Sequence, residues 1–159
     1  SSTYGEVTAQ GARQLAREMG LDLWDGEELF FMDLGSGVGK LVVQAYLEWP
    51  QVTRAVGVEL SETRSQRAAD AWESLLLSEE AKDLRSSASA LAGKVPFSDQ
   101  DVSGLQLIQG DLFNVDASEA THIYVSSLCF SDSMLQRLAK KLSSECKQLQ
   151  VVATLKRFP

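Results

Sequence analysis

A chain of 159 residues, 44% of them hydrophobic, is long enough to bury one sizeable core and short for two domains. Fifteen Lys and Arg against twenty-two Asp and Glu leave a formal charge of −7, which gives no electrostatic drive toward nucleic-acid phosphates or anionic lipid. No apolar run approaches the roughly 18 residues that span a bilayer, and the opening SSTYGEV lacks the order of a signal peptide, so an intracellular protein of cytoplasm or nucleus is expected.

In chain order, Thr8 is placed to cap a helix with Ala12, Leu15, Ala16 and Met19 on one face and Gly20 as its stop. Leu29-Phe30-Phe31-Met32, an apolar run ending in Asp33 and a glycine turn, reads as a strand buried on both faces. A second helix carries Leu41, Val42, Ala45 and Tyr46 and ends at Trp49-Pro50. Ala55 to Val58 is the next strand, followed from about Ser61 by a helix with Ala68, Ala69, Trp72, Leu75 and Leu76 as its buried stripe. Residues 78–104 are polar and Ser-rich, more insertion than core.

Three further strands are expected at Leu105–Ile108, Ile123–Val125 and Leu149–Ala153. A helix with Met134, Leu135, Leu138, Ala139 and Leu142 precedes the last of them. Strands separated by helices predict an α/β, doubly wound, mostly parallel sheet. Cys129 and Cys146 fall in no metal-ligand spacing, so reduced thiols, no disulfide and no metal are expected. His122 opens an apolar run, which favours packing over catalysis.

The turn Asp33-Leu34-Gly35-Ser36-Gly37-Val38-Gly39-Lys40 lies where a strand becomes a helix, a place where backbone N–H groups meet a ligand. A phosphate-binding P-loop is excluded, because Leu34 replaces its first glycine and Leu41 its hydroxyl. A dinucleotide fingerprint fits poorly: its third glycine comes one residue early, at Gly39, and Lys40 takes its place. The glycines alone are also compatible with a tight turn that binds nothing.

Two acids narrow the choice. Glu59 ends the second strand, where a carboxylate accepts from ribose hydroxyls, and Asp111 ends the third, where it accepts an adenine amino proton. The set resembles the signature of S-adenosylmethionine methyltransferases, whose cofactor has no pyrophosphate. Ser36, Gly37, Lys40 and Leu112 belong to the same cofactor-binding expectation.

Tyr4-Gly5-Glu6, then Phe31 to Gly39, Gly57-Val58-Glu59 and Gly110-Asp111-Leu112 are similar, in order, to the disruptor-of-telomeric-silencing (Dot-one) family of histone lysine methyltransferases. The resemblance covers nearly the whole chain. It implies a Rossmann-like methyltransferase fold, S-adenosyl-L-methionine as cofactor, and a protein substrate, a histone lysine. It further implies that residues 1–28 hold a lid and a helix, with Tyr4, Gly5 and Glu6 over the cofactor, ahead of a domain at 29–159.

The chain departs from the family after the fourth strand, where Ser126-Ser127-Leu128-Cys129-Phe130 replaces a pair of asparagines and an apolar-aromatic stretch. Ser126 and Ser127 are the candidates for orienting the acceptor amine, and Phe130 for walling a lysine channel. The competing reading makes the serines a helix N-cap and the aromatic a core residue. Methyltransferase sheets usually have two strands more than the five expected here, so a fragment or a reduced form is expected. A small-molecule or other protein methyltransferase, and a cofactor-binding or interaction domain that has lost its acceptor site, are the alternatives.

Overall fold

The computed structural model describes residues 7–26, 28–80, 83 and 104–159. Tyr4, Gly5, Glu6 and most of the 78–104 insertion lie outside them. Five parallel strands form one sheet: β1 (Leu29–Leu34), β2 (Val52–Glu59), β3 (Leu105–Gln109), β4 (His122–Val125) and β5 (Val151–Thr154). Their order is β3-β2-β1-β4-β5, so the chain winds one way from β1 and then returns to its other side, leaving a crevice between β1 and β4.

Every residue of β1 is buried, as its unbroken apolar run demands for a strand covered on both faces. Alternate β1 side chains feed two cores. Leu29 and Phe31 join α1 (Ala9–Glu18) and α2 (Lys40–Glu48) on one face, while Phe30, Met32 and Leu34 join α4 (Asp132–Glu145) on the other. Ala12, Ala16 and Met19 of the N-terminal helix belong to the first core, so α1 packs against the sheet.

Caps fix the helix starts. The hydroxyl of Thr8 accepts from Gly11 N–H at 3.0 Å, and that of Ser61 from Arg64 N–H at 3.4 Å, opening α3 (Glu62–Leu76). The α3 stripe is narrower than its sequence suggests: Ala68 is buried, Trp72, Leu75 and Leu76 are half-buried, and Ala69 faces solvent. On α4, Leu135, Leu138 and Leu142 are buried, whereas Met134 lies one residue off that stripe and is exposed. The β3–β4 connection runs through turns, and β3 ends at Gln109, so Asp111 stands two residues beyond the strand.

Candidate functional site

At the carboxyl end of β1 the chain turns sharply through Gly35, Gly37 and Gly39, all at positive φ. At Gly39 a Cβ would also come within 3.1 Å of Ala68 Cβ, so glycine lets α3 pack against the loop. Four of the loop amides are spent inside the protein. Gly35 and Ser36 N–H donate to Val58 carbonyl at 2.8 and 3.0 Å, Gly37 N–H to Glu59 Oε2 at 2.8 Å, and Gly39 N–H to Ser36 carbonyl at 2.9 Å. This corrects the expectation that the turn offers these N–H groups to a ligand. What it presents instead is bare glycine surface, with open space around the missing Cβ of Gly37.

Asp33 closes the floor of the cleft beneath this loop. Its carboxyl is 2% exposed, and Oδ1 has no hydrogen-bond partner. Burial, with Glu59's charge nearby, pushes its pKa up to about 7. The parallel register sets Tyr124 opposite Asp33, and burial together with the Asp33 charge raises the phenol above its ordinary value. Asp33, Gly35, Ser36, Gly37, Lys40, Arg64, Arg67, Tyr124 and Ser126 line one cavity.

Glu59 is buried at the end of β2. Oε1 accepts from Ser61 N–H and from Arg64 Nη2, both at 2.7 Å, and Oε2 from Gly37 N–H. Burial pushes this carboxyl up, but those bonds and the guanidinium outweigh it and hold it below the usual range. Glu59, Asp111, Leu112, Phe113, Ser126, Cys129 and Phe130 are among the residues lining a second cavity, which shares Gly35, Arg64 and Ser126 with the first. Asp111 Oδ1 accepts from Phe113 N–H at 2.9 Å, a local turn that aims Leu112 and Phe113 at this cavity.

The serine pair separates. Ser126 is half-buried and borders both cavities, whereas Ser127 is fully buried, lines neither, and accepts from Lys156 N–H at 3.0 Å. Ser127 is therefore a tie between the ends of β4 and β5 rather than a group facing a ligand. Neither serine caps α4: Ser131 does, its hydroxyl accepting from Met134 N–H at 3.2 Å. Lys156 Nζ, 3.0 Å from both Phe130 carbonyl and Asp132 Oδ1, pins the loop that carries Phe130. Tyr124, Arg64 and Phe113 were not singled out from sequence. The register of β4 against β1 would have pointed to the first.

Other residues stay outside the cleft. His122, at the opposite end of β4, is buried edge-on against Trp24 at 5.0 Å with Nδ1 2.9 Å from Thr121 Oγ1. Gly39 packs against α3. Among the described residues no cluster of three His, Cys, Asp or Glu is arranged for a metal ion, and no helix is long and apolar enough to cross a membrane.

The chain is 27% identical over 161 residues to a histone-lysine N-methyltransferase of Caenorhabditis elegans specific for H3 lysine 79. The match covers 98% of this chain and 15% of that relative. Among solved structures it is similar to the rRNA methyltransferase aviRa from Streptomyces viridochromogenes. That match has TM-score 0.66 and 13% identity, covering 100% of this chain and 79% of the other. It is also similar to an RNA methyltransferase from Salinibacter ruber in complex with S-adenosyl-L-homocysteine, with TM-score 0.56 and 22% identity over 89% of this chain and 71% of that one. At these identities the structures speak for a shared Rossmann-like methyltransferase fold. The model of the histone methylation protein DOT1 matches residues 1–159, and the chain belongs to that family.

Proposed function

We propose that this domain binds S-adenosyl-L-methionine along the carboxyl edge of the sheet and directs its methyl group to a lysine of a histone. The observation that carries the reading is the Asp33 carboxyl, buried at the floor of the glycine loop with Oδ1 lacking a hydrogen-bond partner and so in want of a donor or cation. A cofactor bearing an ammonium and a sulfonium meets that need. A dinucleotide would bring pyrophosphate to a turn whose Gly35, Ser36, Gly37 and Gly39 amides already donate within the protein. When bound, the cofactor supplies an electrophilic methyl.

The residues divide the work. Asp33 takes the cofactor's amino group and Lys40 its carboxylate, Glu59 a ribose hydroxyl, and Asp111 with Leu112 the adenine. The family resemblance assigns Tyr4, Gly5 and Glu6 to the covering lid. Ser126, at the junction of the cavities, orients the acceptor amine, and Phe130 walls its approach. Ser127 holds the loop in place. A second reading, a cofactor-binding domain without an acceptor site, is favoured by the loss of one of the two hydroxyls to structure.

A histone is cationic and suits a chain of charge −7, whereas nucleosomal DNA does not. The domain therefore makes no direct nucleic-acid contact of its own and works in the nucleus on the protein component. Incubation with methyl-labelled cofactor and either free histones or nucleosomes, followed by identification of the labelled residue, tests this. Label on histone lysine, weaker on nucleosomes at moderate salt, is expected. Tighter binding of NAD than of S-adenosylmethionine, or label confined to small molecules, overturns it.

A further inference from the structure

The ribose end of the cleft is closed by an ion pair. Arg64, in the first turn of α3, holds Nη2 2.7 Å from Glu59 Oε1, an oxygen that also accepts from Ser61 N–H at 2.7 Å. Oε2 accepts from Gly37 N–H at 2.8 Å. A carboxylate offers about four acceptor positions, two on each oxygen. Three are taken, and Oε1 is full. A ribose that donates from both hydroxyls needs two positions and finds one.

Of the three donors, two are backbone groups that cannot leave without opening the glycine turn or the α3 cap. The third is a side chain, about one-third exposed, on a helix with Ala68 as its one buried residue. Arg64 also lines both cavities. The other two residues common to them, Gly35 and Ser126, have their amides fixed to the sheet at Val58 and Leu34 carbonyls. Hence the movable part of the boundary that the two cavities share is the Arg64 side chain.

We propose that Arg64 is a displaceable gate: it keeps the Glu59 carboxylate paired while the cleft is empty and yields its place to a ribose hydroxyl when a ligand bearing the full 2′,3′-diol enters. This rests on the reading that Glu59 receives the ribose. The gate makes Arg64 a specificity residue, because a deoxyribose needs only the position already open on Oε2 and gains nothing from displacing it. A guanidinium that merely supported Glu59 would have the opposite signature, with every nucleoside ligand weakened by its loss.

The experiment compares the whole chain with Arg64→Met and Arg64→Gln at pH 8, with melting curves confirming that each variant folds. Calorimetry is run with S-adenosylhomocysteine and its 2′-deoxy analogue. Release of a partly exposed ion pair predicts about two- to fivefold tighter binding of S-adenosylhomocysteine by both variants. The 2′-deoxy analogue should bind parent and variants alike, so discrimination between the two ligands widens. Equal or weaker binding of S-adenosylhomocysteine by folded variants overturns the gate while leaving the cofactor reading intact, as does an equal gain for both ligands. Failure of parent and variants alike to bind S-adenosylhomocysteine overturns the cofactor reading, and the gate with it.

Discussion

At the carboxyl ends of β1 and β2 the polar groups are buried carboxylates, and Asp33 keeps an oxygen with no partner while Glu59 keeps an acceptor position open. At the carboxyl ends of β4 and β5 they are hydroxyls and an ammonium. There Ser127 meets Lys156 N–H, Thr154 Oγ1 donates to Lys156 carbonyl at 2.7 Å, and Lys156 Nζ meets Phe130 carbonyl and Asp132. One half of the edge retains unspent charge, which costs folding free energy and is tolerated where a ligand restores it. The other half satisfies itself and serves as a wall.

The sharpest way to break this contrast is Glu59→Ala. It removes the carboxylate proposed to receive the ribose and strips Gly37 N–H, Ser61 N–H and Arg64 of their shared partner. Bonds to a charged group contribute about 1.5–3 kcal/mol each, so S-adenosylhomocysteine affinity should fall by about 100-fold or more, with a lower melting temperature. Unchanged calorimetric affinity would dissolve the distinction between the two halves.

Asp33→Asn separates ligand binding from stability. With the folded carboxyl titrating at about 7 and an ordinary aspartate at 3.8, the folded protein holds a proton that the unfolded chain releases between those values. This group's contribution is therefore most favourable below about pH 4 and is lost as pH rises through 7, by about 4 kcal/mol in all. Asn at this position should raise the melting temperature at pH 8 and leave it nearly unchanged at pH 4. Cofactor affinity should fall about tenfold or more, and in the parent it should strengthen as Asp33 ionises through pH 7. Melting curves from pH 4 to 8 with parallel titrations check both signs.

The receptor half was the legible one. An apolar run, an acid and a glycine turn are contiguous, so Asp33 and the loop could be read directly, and Glu59 followed from being the acid that ends the next strand. The cap at Thr8 and the helix start near Ser61 were legible for the same local reason. Sequence reasoning failed where a residue's partner is remote. Ser127 and Lys156 are 29 positions apart and meet only because β4 and β5 pair in parallel, so a buried tie looked like a reactive hydroxyl. Tyr124 reaches Asp33 through register, and the spent loop amides depend on the carbonyl of Val58 in another strand. Ala69 and Met134 fell off their stripes because their helices bury narrower faces than composition suggests.

Ser127→Ala probes the wall half. It takes the acceptor from Lys156 N–H in a fully buried setting, and an unsatisfied buried donor costs about 1–3 kcal/mol. The expected result is a lower denaturant midpoint with S-adenosylhomocysteine affinity within a few-fold of the parent. A variant as stable as the parent but unable to turn over would return Ser127 to the reacting groups.

Ser126→Ala should have the smallest effect, and it tests where the two halves meet. Ser126 N–H is fixed to Leu34 carbonyl at 3.2 Å, continuing the β1–β4 ladder, so the side chain springs from a rigid point between the cavities. Its hydroxyl is a neutral acceptor, and one neutral hydrogen bond to the incoming amine contributes about 1 kcal/mol, or about fivefold in turnover. Because the contact is to the acceptor and not to the cofactor, the loss should appear in kcat on histone substrate with cofactor affinity unchanged. Ser126→Asn keeps an acceptor oxygen and should recover part of the rate, which a purely steric role would not allow on a larger side chain beside Gly35. Single-turnover methyl transfer by the three proteins, at saturating cofactor, decides it. Full activity in Ser126→Ala would leave positioning of the amine to the backbone and to Phe130, and the wall would then contribute shape alone.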